Sequence, residues 1–65
     1  MSSLTSTTTI LVVDDEENAR EGLSKILSKG GYQVDMAADG KEAIERTRQL
    51  HPEIVIMDIS MPIMG

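Results

Sequence analysis

Four apolar residues in succession, Ile54-Val55-Ile56-Met57, run straight into a bare carboxylate, Asp58, and then into a loop marked by Pro62 and Gly65. A strand covered on both faces reads as a continuous apolar run, whereas a strand with one wet face alternates. The stretch therefore predicts a buried parallel strand, with Asp58 where the chain leaves the core. A carboxylate held there is poorly solvated and oriented by its backbone, which suits a chemical site better than a surface. The rest of the chain has to supply neighbours for this strand and partners for Asp58.

A second run of the same kind, Ile10-Leu11-Val12-Val13, closes abruptly on Asp14-Asp15. It predicts another strand covered on both faces. Glu16 to Lys29 follows as a helix, with Ala19, Leu23, Ile26 and Leu27 spaced to share one face. Acidic residues crowd its start, Lys25 and Lys29 sit near its end, and Gly30-Gly31 stops it. Tyr32 to Met36 alternates apolar and polar residues, the pattern of a half-buried edge strand. Asp39 with Glu42 three residues on reads as a variant capping box. It opens a second helix with Ala43, Ile44, Thr47 and Leu50 inward, which ends at His51-Pro52 because proline disfavours helix in the residue before it.

Strand, helix, strand, helix, strand is the signature of parallel βαβ units, so the fold class is α/β. The half-polar second strand belongs at an edge, which gives the strand order 2-1-3. That order makes the two right-handed crossovers run in opposite directions and puts the helices on opposite faces. The arrangement is flavodoxin-like, a βαβαβ sheet with its switch point between the first and third strands. The third strand is too apolar for an edge, yet no segment of the chain remains to cover it. This predicts a truncated domain, and self-association through the exposed third strand.

The 65 residues allow one small domain, read as a disordered tail over 1–9 and a folded part over 10–65. There is no cysteine for disulfides and no Cys/His cluster for structural zinc. No signal peptide and no membrane span are legible, so a cytoplasmic location is expected. A formal charge of −5 and a single aromatic residue, Tyr32, argue against direct binding of nucleic acid.

In a parallel sheet ligands bind beyond the carboxyl ends of the strands, at the switch point. Asp14, Asp15 and Asp58 fall there, on neighbouring strands roughly 4.8 Å apart. Three carboxylates so close repel unless a cation neutralises them, and an oxygen-only donor set points to a hard cation, Mg²⁺. Asp58, across from the pair, is the candidate nucleophile for a phosphoryl group, forming an acyl phosphate. The competing reading of Asp14 and Asp15 is that they cap the following helix. His51 reads as a helix-end residue, and Met57, Met61 and Met64 as core and loop filler.

Leu11-Val12-Val13-Asp14-Asp15-Glu16, Ala38-Asp39-Gly40-Lys41-Glu42-Ala43 and Ile56-Met57-Asp58-Ile59-Ser60-Met61-Pro62 together resemble the receiver domain of bacterial two-component response regulators. The likeness covers nearly all of the chain after the tail and corresponds to the N-terminal half of that domain. It implies that Asp58 is the phosphoacceptor, charged from a histidine kinase or phosphotransfer protein. It also implies that Asp15 binds Mg²⁺ directly, Asp14 partly through water, and Ser60 through its backbone carbonyl. The family's later Ser or Thr and its Lys, which contact the phosphoryl group, have no counterpart here, and Lys41 stands on the wrong connection to replace that Lys. A module of this kind accepts a phosphoryl group and is not a conventional turnover enzyme. The alternatives are a phosphorylation-incompetent truncated or swapped interaction fragment and, further off, an aspartyl-phosphate hydrolase. Haloacid-dehalogenase-type phosphatases carry a second acid where this chain has Ser60.

Overall fold

A computed structural model describes residues 7–57. Three strands, β1 (Thr9–Val13), β2 (Gln33–Ala37) and β3 (Ile54–Met57), alternate with two helices, α1 (Glu17–Lys29) and α2 (Gly40–Leu50). The sheet is parallel in the order β2-β1-β3, as the apolar and half-polar strand patterns require. Thr9 pairs with Gln33 and Val13 with Ala37 on one side of β1; Ile10 pairs with Ile54 and Val13 with Met57 on the other.

β1 is the anchor. Leu11, Val12 and Val13 are the most deeply buried large side chains, each contributing roughly 1.5–3 kcal/mol by leaving water. Leu11 and Val13 join Ala37, Ala43 and Leu50 in the core beneath α2, while Val34 and Met36 of β2 line an open groove with Ser24 and Ser28 of α1. The strand takes in Thr9, which the sequence assigns to the tail. The Thr8 carbonyl accepts from the Gln33 N–H at 2.9 Å, and Thr9 exchanges two bonds with Glu53: its N–H donates to Oε1 at 3.0 Å and its carbonyl accepts the Glu53 N–H at 2.9 Å. Residues 1–6 of the expected tail lie outside the described residues, as do 58–65.

Both helices rest on β1 and β2, and neither covers β3. That placement corrects both expected inner faces. In α1, Leu23 and Leu27 are half-buried and Ser24 is buried, but Ala19 is exposed and Ile26 is 68% exposed. In α2, Ala43 is buried and Leu50 half-buried, whereas Ile44 and Thr47 are exposed. The expectation that β3 is covered on both faces is corrected for the same reason. Ile54, Val55 and Met57 are each nearly half exposed, and Met57 is not core.

The two sheet edges differ sharply. On β2, the Asp35 carboxylate accepts the Met36 N–H at 2.8 Å and Glu42 Oε1 accepts the Ala38 N–H at 2.7 Å, while Arg46 bridges both carboxylates at 3.5 and 3.8 Å. Charged side chains that occupy outward N–H groups blunt an edge against further pairing. β3 has no such cover among the described residues.

Helix ends follow local chemistry. At the end of α1 the Tyr32 N–H donates to the Leu27 carbonyl at 3.3 Å and the Gly31 N–H to the Ser28 carbonyl at 3.0 Å, with Gly31 at φ +97°. This is a Schellman cap, which needs a left-handed residue. Asp39 caps α2 through the Glu42 N–H at 2.8 Å, and Glu42 reaches back past Asp39 to Ala38 instead of closing the expected reciprocal box. His51 lies just beyond the last turn, left-handed at φ 49°, as the C-cap of α2. No helix among the described residues is long and apolar enough to cross a membrane.

Candidate functional site

β1 delivers Asp14 and Asp15 to the carboxyl end of the sheet, and α1 begins two residues later. The Asp14 N–H donates to the Ala37 carbonyl at 3.1 Å, extending the β1–β2 ladder by one step. Its Oδ1 accepts the Glu16 N–H at 3.0 Å, the Asx turn that a short carboxylate makes with the amide two residues on. Its carbonyl accepts from Arg20 Nη1 at 2.8 Å. Asp14 is thus half-buried and held at three points. Asp15 is exposed, and no hydrogen bond or ion pair engages its carboxylate among the described residues.

Neither aspartate is the N-cap of the helix, although Asp14 holds the N–H of the residue that is. The N-cap is Glu16, whose Oε1 accepts the Ala19 N–H at 2.7 Å. Sequence reasoning missed this because Ser, Thr, Asp and Asn are the favoured N-caps. It also missed Arg20, although a signal was present. Arg20 ends the first turn of a helix, where exposed N–H groups disfavour a cation, and a cation placed there needs a local reason.

The structure brings Asp14 and Asp15 together. Asp58 and Ser60 lie outside the described residues. Among the described residues no group of three His, Cys, Asp or Glu side chains is gathered to hold a metal. The two aspartates nevertheless fit a hard cation. They offer oxygen donors only, the Asp15 carboxylate has no partner among the described residues, and the nearby Arg20 guanidinium binds a carbonyl and forms no ion pair with either carboxylate.

The model of the response regulator receiver domain matches residues 10–65. The chain belongs to that family. Receiver domains are signalling modules of two-component systems, and this one shares 46% identity over 57 residues with the chemotaxis protein CheY of Thermotoga maritima, covering 86% of this chain and 48% of that protein. It shares 45% identity over 53 residues with response regulator RR06 of Streptococcus pneumoniae, covering 82% of this chain and 24% of that protein. Among solved structures, the chemotaxis response regulator CheY4 of Vibrio cholerae superimposes with a TM-score of 0.84 at 35% identity, over 92% of this chain and 50% of that one. The N-terminal domain of an uncharacterised protein from Wolinella succinogenes gives 0.82 at 39% identity, over 91% and 48%. The chain therefore spans about half the length of the CheY relatives and about a quarter of the longer response regulator. Both the order 2-1-3 and the family expected from the sequence hold for this receiver domain.

Proposed function

We propose that this receiver domain accepts a phosphoryl group on the carboxylate of Asp58, with Mg²⁺ held by Asp14, Asp15, Asp58 and the backbone carbonyl of Ser60. The supporting observation is the register. Val13 pairs with Met57, so Asp14 and Asp58 are the next residues in sequence after a paired couple on neighbouring parallel strands. Receiver domains interact with histidine kinases or phosphotransfer proteins, and such a protein is the proposed donor. A carboxylate oxygen of Asp58 bonds to phosphorus as the donor's histidine N–P bond breaks, giving an acyl phosphate and the free imidazole. Asp15, with no competing partner among the described residues, is the direct ligand. Asp14 has one oxygen on the Glu16 N–H and offers the other. Mg²⁺, when bound, supplies the positive charge that offsets the carboxylates and the incoming phosphoryl oxygens. The domain is modified once per donor and does not turn over as an enzyme. The same reading places it in the cytoplasm.

Acetyl phosphate with Mg²⁺ is expected to add one phosphoryl group to the chain, read by intact mass. Asp58→Asn and chelation of the metal are each expected to abolish the adduct. An adduct that persists in Asp58→Asn overturns the assignment.

The edge of β3, without side-chain cover among the described residues, favours a second reading, an interaction module that self-associates through that strand. Sedimentation tests it. Val55→Lys is expected to shift the chain toward monomer, and a monomeric unsubstituted chain refutes it.

A further inference from the structure

Arg20 is out of place by the ordinary rules of a helix start. It stands in the first turn of α1, with Asp14, Asp15, Glu16 and Glu17 nearby in sequence, yet among the described residues it forms no ion pair with any carboxylate. Its half-buried guanidinium instead donates Nη1 to the Asp14 carbonyl at 2.8 Å, and its own carbonyl accepts the Ser24 hydroxyl at 2.8 Å. An arginine that chooses the main chain over neighbouring carboxylates fixes the loop and leaves the carboxylates unneutralised.

We infer that Arg20 is the positioning residue of the cation site, holding the Asp14–Asp15 peptide so that both carboxylates stay set for one ion. The inference rests on the Mg²⁺ reading above and adds to it a residue outside the acidic set. Asp14 has two other anchors, its N–H on Ala37 and its Oδ1 on the Glu16 N–H. Both lie on the amide and side-chain sides of the residue. The Arg20 bond is the one that restrains its carbonyl, and therefore the peptide leading into Asp15, whose side chain has no anchor of its own among the described residues. Residues that orient ligands from behind alter metal affinity by about 10–100-fold when removed.

The sign of the effect separates this role from simple electrostatics. A bystander cation repels Mg²⁺, so its removal tightens binding. Removal of a positioning residue weakens binding. Arg20→Met keeps the apolar stem and removes the fork. Arg20→Lys keeps the charge but replaces the planar fork with a single ammonium.

The test is calorimetric titration of Mg²⁺ into the full chain and the two variants, with far-UV circular dichroism to establish that each is folded. Binding about tenfold weaker in Arg20→Met, with Arg20→Lys between it and the unsubstituted chain, supports the inference. Equal or tighter binding in Arg20→Met overturns it. If Arg20→Met loses its helical signal, Arg20→Lys decides, and unchanged affinity there overturns the inference. Amide exchange without Mg²⁺ provides a second readout, because Arg20→Met is expected to speed exchange at Asp15 and Glu16. Absence of Mg²⁺ binding to the unsubstituted chain overturns the cation reading itself, a different result from binding that ignores Arg20.

Discussion

Three glycines around α1 provide a stringent test of the structure, because the same Gly→Ala change is expected to act in three different ways. Gly22 lies inside α1, and a Cβ built on it meets nothing within 4 Å. Alanine there should stabilise the chain by about 1 kcal/mol, the difference in helix propensity. Gly30 has ordinary helical dihedrals at φ −77°, and its Cβ would meet the Leu27 carbonyl oxygen at 3.3 Å and the Tyr32 ring at 3.4 Å. The ring can yield but the backbone carbonyl, which also accepts the Gly30 and Tyr32 N–H groups, yields less, so alanine is expected to be neutral to slightly destabilising. Gly31 sits at φ +97° with open space around it. Its penalty is therefore purely backbone, about 1–2 kcal/mol for an L-residue held left-handed. A chain of this size has roughly 3–10 kcal/mol of total stability, so each effect is a readable fraction of the whole. In a domain of 60–100 residues, 1 kcal/mol moves the thermal midpoint by about 4–8 °C. Urea and thermal unfolding followed by far-UV circular dichroism should rank the variants Gly22→Ala, Gly30→Ala, Gly31→Ala from most to least stable. A neutral Gly31→Ala would show that the Schellman cap is not formed, and a destabilising Gly22→Ala would refute the exposed placement of that helix face.

Two further substitutions probe the C-cap of α2 and the outer edge of β2. His51→Gly relieves a left-handed non-glycine residue at φ 49° and is expected to raise stability by about 0.5–1 kcal/mol, the left-handed penalty less the extra conformational entropy that glycine loses on folding, measured by urea unfolding; a loss of stability would mean that the imidazole contributes something the backbone geometry does not show. Asp35→Val removes the acceptor of the Met36 N–H and one partner of Arg46, which should leave β2 open to pairing. If β3 self-associates as proposed, sedimentation is expected to show assemblies that grow with concentration beyond a dimer, since β2 then joins β3 as an edge without side-chain cover among the described residues, and an unchanged profile would refute the protective role of that side chain.

Much of the site's address was legible before the structure. The apolar run Ile10 to Val13 is buried as its pattern implies, and its end places Asp14 and Asp15 at the carboxyl edge of a parallel sheet. What escaped was how that corner is held. Glu16 is an infrequent N-cap, and the bond from Arg20 runs to a carbonyl, a group every residue has and no sequence pattern marks. Ile26 and Ile44 fit an apolar helix face in the sequence, yet both are exposed. A periodic pattern defines a stripe on a helix but not how far across the sheet that helix sits.

The sequence by itself determined the elements, their parallel order β2-β1-β3, the capping of α2 by Asp39 and the family to which the motifs belong. Those features follow from short-range chemistry and from the difference between strands wet on one face and on none. Only the tertiary structure decided which edge carries side-chain cover and which has none among the described residues. Glu42 and Arg46 already pair one turn apart on α2, but Asp35 joins Arg46 over β2 only once α2 has packed on the sheet. Ile54, Val55 and Met57 read as core in the sequence because their apolarity records what a strand needs beside it. Their exposure is set by the two helices resting on β1 and β2, which leaves β3 joined to the described structure through β1 alone.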